Sequence, residues 1–142
     1  MLIEKIPALY GKALLEAAAD ADVLEDVVAE VSFVGGLLGE DADLRLFVES
    51  PSIESAQKRE VFEKTFRGKA TDTFINFLLL LVDKGREAEL EAILAAFGAF
   101  HDEHVGLVRA EVVSVEQLAE EEIDKLAAAI GASIDKQVIV SN

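Results

Sequence analysis

The segment Phe74-Ile75-Asn76-Phe77-Leu78-Leu79-Leu80-Leu81-Val82 constrains the fold more than any other. At about 100° per residue it places apolar groups nearly all round a helix, and only Asn76 and Asp83 share a polar strip. Such a helix must be covered on most sides. Two arrangements satisfy it: the centre of a helical bundle, or a place at a bundle's surface that another protein completes. With 142 residues, 51% of them hydrophobic, the chain can build a packed core as one domain or two small ones.

Periodicity and breakers predict six helices before that core could close. The first runs from about Leu2 to Ala19, with Ile6, Leu9, Ala13 and Ala17 on one face and Ile3, Tyr10 and Leu14 beside them. Pro7 is tolerable there because it lies near the helix start. Asp20 or Asp22 can cap the next helix, from Val23 to about Leu38, which Gly39 ends. Asp43–Glu49 is a short helix stopped at Ser50-Pro51. A helix over 54–66 follows, then one from Thr73 to Lys84, capped by Thr71 or Asp72 and closed by Gly85. The sixth covers 87–104. Past Gly106 the pattern changes: a valine-rich strand over 107–115, a helix over 117–130 closed by Gly131, and a strand over 137–140. The expected fold class is mainly α, with an N-terminal six-helix antiparallel bundle over 1–105 and an incomplete small α/β segment over 106–142.

The formal net charge of −15 is spread over both parts, with 10 Lys/Arg against 21 Asp/Glu before Val105 and 3 against 7 after it. Nucleic acid is therefore not an expected partner, since phosphate binding needs a basic face. Direct docking on anionic lipid is disfavoured for the same reason. The apolar run Phe77–Val82 is far short of the roughly 20 residues that span a bilayer, so no membrane insertion is expected. The N-terminus has neither a signal peptide's apolar run nor a transit peptide's composition.

Catalytic chemistry has little support. The glycines Gly35, Gly36 and Gly39 fit neither a P-loop nor a dinucleotide fingerprint, so no cofactor is expected. His101-Asp102-Glu103-His104 is not the HExxH arrangement, and no cysteine or further histidine completes a metal shell. Glu120-Glu121-Glu122 suit a helix N-terminus without any catalytic role. The expected catalytic and metal residues are none.

A binding role has more support. Besides its main apolar face, the first helix carries a second strip of Pro7, Ala8, Gly11, Leu15 and Ala18. Small residues there let another helix approach closely. Two helices with uncovered apolar surface, side by side, would form a groove for a partner's amphipathic helix.

Several short stretches, in order, resemble one family. They are Tyr10-Gly11-Lys12-Ala13-Leu14; Asp43-Leu44-Arg45-Leu46-Phe47 with Ser50-Pro51; Phe66-Arg67-Gly68-Lys69; Asn76-Phe77-Leu78 leading to Gly85-Arg86; and Ala110-Glu111-Val112-Val113-Ser114. The chain resembles the delta subunit of bacterial F-type ATP synthase, the homologue of the oligomycin-sensitivity-conferring protein. The resemblance implies a non-catalytic stator subunit of the peripheral stalk, serving ATP synthesis and hydrogen ion transport. It implies a six-helix bundle that binds the N-terminal helix of an alpha subunit in a groove between the first and fifth helices. It also implies a C-terminal domain that meets the b subunits, and a peripheral place on the cytoplasmic face of the bacterial cell membrane. Carried onto this sequence, the groove residues are Ala8, Tyr10, Gly11, Leu14, Leu15 and Ala18 with Phe74, Phe77, Leu78 and Leu81. Family members continue a few dozen residues past the position of Asn142, so the chain is expected to lack the C-terminal end that completes the sheet. The alternative is a helical adaptor bundle that binds an amphipathic helix of another partner.

Overall fold

The protein was analysed as a computed structural model, which describes residues 4–111, 120–134 and 137–141. The chain divides into two compact units, Met1–Phe100 and His101–Asn142.

The first unit is a helical bundle. Its elements are α1 (Lys5–Asp20), α2 (Leu24–Glu40), α3 (Ala42–Glu49), α4 (Ser55–Phe66), α5 (Asp72–Asp83), a single 3₁₀ turn (Glu87–Glu89) and α6 (Leu90–His104), whose last residues belong to the second unit. α5 is the central helix. Seven of its twelve residues are buried, Phe74, Ile75, Phe77, Leu78, Leu79, Leu81 and Val82. It packs against α1, α2 and α4. Thr71 starts it, its hydroxyl accepting from Phe74 N at 3.2 Å. Glu30 of α2 then binds that same cap, accepting from Thr71 N at 2.8 Å and from Thr71 Oγ1 at 2.7 Å. The end of α5 is fixed by Gly85 at φ +68°, a left-handed conformation that costs glycine little.

Two features differ from expectation. The α1–α2 turn is not capped by an aspartate: Val23 is the N-cap residue, without a side-chain bond, and Asp22 instead takes φ +58° in the turn. Asparagine and aspartate tolerate that conformation better than other side chains. Asp41, not read as a cap from sequence, holds α3 by accepting from Asp43 N and Leu44 N, each at 3.1 Å.

One charged side chain is enclosed in the bundle. Lys58 of α4 is 1% exposed, and its Nζ donates to Val48 O at 2.9 Å and to Glu87 Oε1 at 2.9 Å. It thereby joins the end of α3 to the 3₁₀ turn before α6. Removing one partner of a buried pair leaves the other without compensation. Lys58→Ala is expected to lower unfolding free energy by about 3 kcal/mol, read from the urea midpoint. Lys58→Met combined with Glu87→Leu should cost much less.

In the second unit β1 (Leu107–Glu111) and β2 (Gln137–Ser141) pair in parallel, from Leu107↔Gln137 to Glu111↔Ser141. α7 (Glu120–Ile134) packs against β2. Parallel neighbours need a crossover, and this helix lies within it. α7 runs through Gly131 to Ile134 rather than stopping at the glycine, since an interior glycine costs a helix only about 1 kcal/mol. The expected strand residues 112–115 and helix residues 117–119 lie outside the described residues.

Candidate protein-docking site

α1 has two apolar arcs, and hydrophobic pattern alone cannot say which one faces inward. The close approach of α6 decides it. A Cβ on Gly11 would lie 2.8 Å from Phe97 N, 3.0 Å from Ala96 Cβ and 3.1 Å from Ile93 O. Only glycine permits that contact. The arc of Pro7, Gly11, Leu14, Leu15 and Ala18 is accordingly buried. The small-residue strip does admit another helix, and that helix is α6 of the same chain.

The other arc is left facing outward. Leu9 is 65% exposed, Ala13 and Ala17 are exposed, and Ile6 and Tyr10 are half-buried. This reverses the expectation that Ile6, Leu9, Ala13 and Ala17 form the main core face. On α5 the outward residues are Asp72, Asn76, Leu80 and Asp83, with Thr73 half-buried. The α4 side of that strip is closed by charge. Arg59 pairs with Asp83, and Arg67 pairs with Asp72 at 3.0 Å and reaches Asn76 Oδ1 at 3.4 Å. Arg67 also holds the Glu63 carboxyl below the usual carboxylate range, chiefly through its side-chain hydrogen bond. That stabilisation is present above the unfolded carboxyl's range and is lost as pH falls through the folded value. Leu80, 42% exposed, and Thr73 lie round the helix from Asp83, beyond Asn76.

The ten residues named from sequence therefore fall into two groups. Tyr10 and Ala8 are partly exposed on α1. Gly11, Leu14, Leu15, Ala18, Phe74, Phe77, Leu78 and Leu81 are buried in the bundle. Sequence reasoning passed over Leu9 and Leu80 as docking residues, because each belonged to a pattern read as core.

It also missed a second apolar opening. A cavity of about 570 Å3 lies among α2, α3, α4 and α5, lined by Phe33, Leu37, Leu44, Val61, Phe66 and Phe74, with Glu30 and Lys69 among its few polar groups. Phe33, at 63% exposure, is the most open of the aromatic groups there. Its signal in the sequence is the pair Phe33 and Leu37, one turn apart and off the buried line of Val27, Val31, Val34 and Leu38.

The family model described as ATP synthase delta (OSCP) subunit matches residues 6–142. The chain belongs to the ATP synthase delta (OSCP) subunit family. That family supplies a peripheral-stalk subunit of F-type ATP synthase, and this is the chain's function. ATP synthase subunit delta of Chlorobium luteolum is 34% identical over 91% of this chain and 71% of its own length. The Symbiobacterium thermophilum subunit delta is 32% identical over 97% of this chain and 74% of its own. A chain of the Toxoplasma gondii mitochondrial ATP synthase hexamer shares the fold, with TM-score 0.78 and 24% identity over 96% of this chain and 77% of that one. Among the described residues of this delta-family chain, no helix is long and apolar enough to cross a membrane. Among them, too, no three His, Cys, Asp or Glu side chains gather as a metal site.

Gly11→Ala separates the internal role of the small strip from a docking role. It is expected to destabilise the bundle by about 1–3 kcal/mol, because the contacted atoms include α6 backbone. Thermal unfolding of the variant checks this; an unchanged melting temperature would show that α6 does not approach as described.

Proposed function

We propose that the chain is a non-catalytic stator link, with residues 1–105 seated on the catalytic head and residues 106–142 directed toward the b subunits. The observation that carries the head contact is the uncovered apolar stripe of α1, on a helix that packs against α5. Ile6, Leu9, Tyr10, Ala13 and Ala17 form one wall, and Thr73 and Leu80 of α5 form the other. The buried Gly11, Leu14, Leu15, Ala18, Phe74, Phe77, Leu78 and Leu81 hold the two helices in the bundle beneath the stripe. The occupant is the amphipathic N-terminal helix of an alpha subunit, whose apolar face would cover the stripe at i, i+3, i+4 and i+7 spacing. The resemblance drawn from the sequence supplies the identity of that occupant. The stripe supplies the physical reason why this chain would hold it.

In this reading the bundle resists rotation of the head by holding the alpha helix, and the second unit passes the load toward the membrane sector. The complex stands on the cytoplasmic face of the bacterial membrane, the delta-family chain remaining peripheral. No group in the chain is asked to perform chemistry.

Titration with a fluorescent peptide from the alpha subunit's N-terminus is the direct test. Binding with a Kd of about 10 µM or tighter is expected. Leu9→Asp should weaken it at least tenfold while changing stability by no more than about 0.5 kcal/mol, since Leu9 is mostly in water already. Leu15→Asp, at a residue only 8% exposed, should instead unfold the bundle. If the peptide binds Leu9→Asp as tightly as the parent chain, the stripe is not the docking surface.

A further inference from the structure

The charges beside the α1 stripe run in a fixed order along the helix. Stepping 100° per residue, Lys12, Lys5 and Glu16 lie along the solvent edge beside Leu9, and Asp20 falls between Leu9 and Ala13. All four are exposed. The order is two cations toward the N-terminus, then two anions toward the C-terminus. Among the described residues none of the four makes an ion pair, although Lys12 and Glu16 stand at i, i+4 spacing. Glu4, the N-cap residue, lies on a different side of the helix, near the arc of Gly11 and Leu15. On α5, Asp72 and Asp83 are held by Arg67 and Arg59, which leaves Lys84 as the exposed charge at that helix's end.

This order opposes the α1 dipole. Lys5 stands in the first turn, where the helix end is partially positive, and Asp20 is the last residue, where it is partially negative. Neither placement helps α1 form. Sequence choices that break a local rule without local compensation point to function.

We infer that this edge fixes the direction in which the partner helix lies. The occupant is an amphipathic helix acidic in its first half and basic in its second, lying parallel to α1. Its acids then meet Lys5 and Lys12, and its bases meet Glu16 and Asp20. Such a helix has the polarity its own dipole favours, so it is the ordinary kind of helix rather than a special one. The inference rests on the docking groove proposed above. Apolar contact gives affinity there, while the edge charges select between two directions that apolar contact alone leaves nearly equal. Each exposed pair contributes little, so four pairs together give a preference of about five- to tenfold at low salt.

The test uses the full chain, isotopically labelled, and two peptides built on the alpha-subunit N-terminal helix. Both keep its apolar positions. One carries Glu at the polar positions of the first half and Lys in the second; the other carries the reverse. A nitroxide label at each peptide's N-terminus broadens nearby amide signals. The acid-first peptide is expected to broaden Ile6–Leu9, and the reversed peptide Ala17–Asp20. In the variant carrying Lys5→Glu, Lys12→Glu, Glu16→Lys and Asp20→Lys the two patterns should exchange. All four sites are exposed, so the fold is retained, and circular dichroism checks that. If both peptides broaden the same end, or if both ends respond equally, charge order does not set direction and the inference fails while the groove stands. If the unmodified alpha peptide does not bind at all, the groove itself is wrong and the inference falls with it.

Discussion

A helix that is apolar on nearly every side can exist in water only if other helices enclose it, and α5 imposes that requirement on the whole first unit. α1, α2 and α4 pack on it, and α2 reaches over its N-terminus through Glu30 to hold the Thr71 cap. The enclosure sets where each neighbour can stand. It also limits which of α5's residues reach solvent to a narrow strip, on which Leu80 is the one large apolar group. Solvent-facing apolar surface on α5 is therefore scarce, and of these two helices α1 exposes more of it.

α1 can offer that area because glycine brings α6 against its other side. At Gly11 the α6 backbone and Ala96 occupy the space a side chain would take. With the inward side of α1 taken by Pro7, Gly11, Leu14, Leu15 and Ala18, the apolar Ile6, Leu9 and Tyr10 are left on the outward side. A helix with two apolar sides has one of them satisfied inside the bundle, and the other is the surface we propose for the partner helix. The edge charges of α1 run against its dipole, with no acidic residue in its first turn and no basic residue in its last.

Much of the fold was legible because it is written locally. Thr71 as a cap, Gly85 as a stop, Ser50-Pro51 as a break and the valine-rich stretch after Gly106 each act within a few residues. The placement of α5 was legible as a requirement for enclosure, although the sequence left open whether a bundle or a partner would provide it. The orientation of α1 was not legible, because both of its arcs are apolar and the choice depends on Phe97 and Ala96, more than 80 residues away. Lys58 and Glu87 were silent for a similar reason: each is an ordinary surface residue until α3, α4 and the 3₁₀ turn enclose them. The cavity beside Phe33 arises where four elements meet, and no single stretch of sequence describes such a place. The family resemblance reached the function by another route, through short motifs whose order is informative even where their side-chain directions are not.

The proposed docking places the outward stripe of α1, and not its small-residue strip or the cavity at Phe33, against the catalytic head. Site-specific photo-crosslinking in the assembled ATP synthase tests it most directly. A benzophenone side chain placed at Leu9, Ala17 or Leu80 is predicted to capture an alpha subunit, while the same group at Phe33 captures none. Capture of the alpha subunit from Phe33, with none from Leu9, would place the head contact on the other side of the bundle.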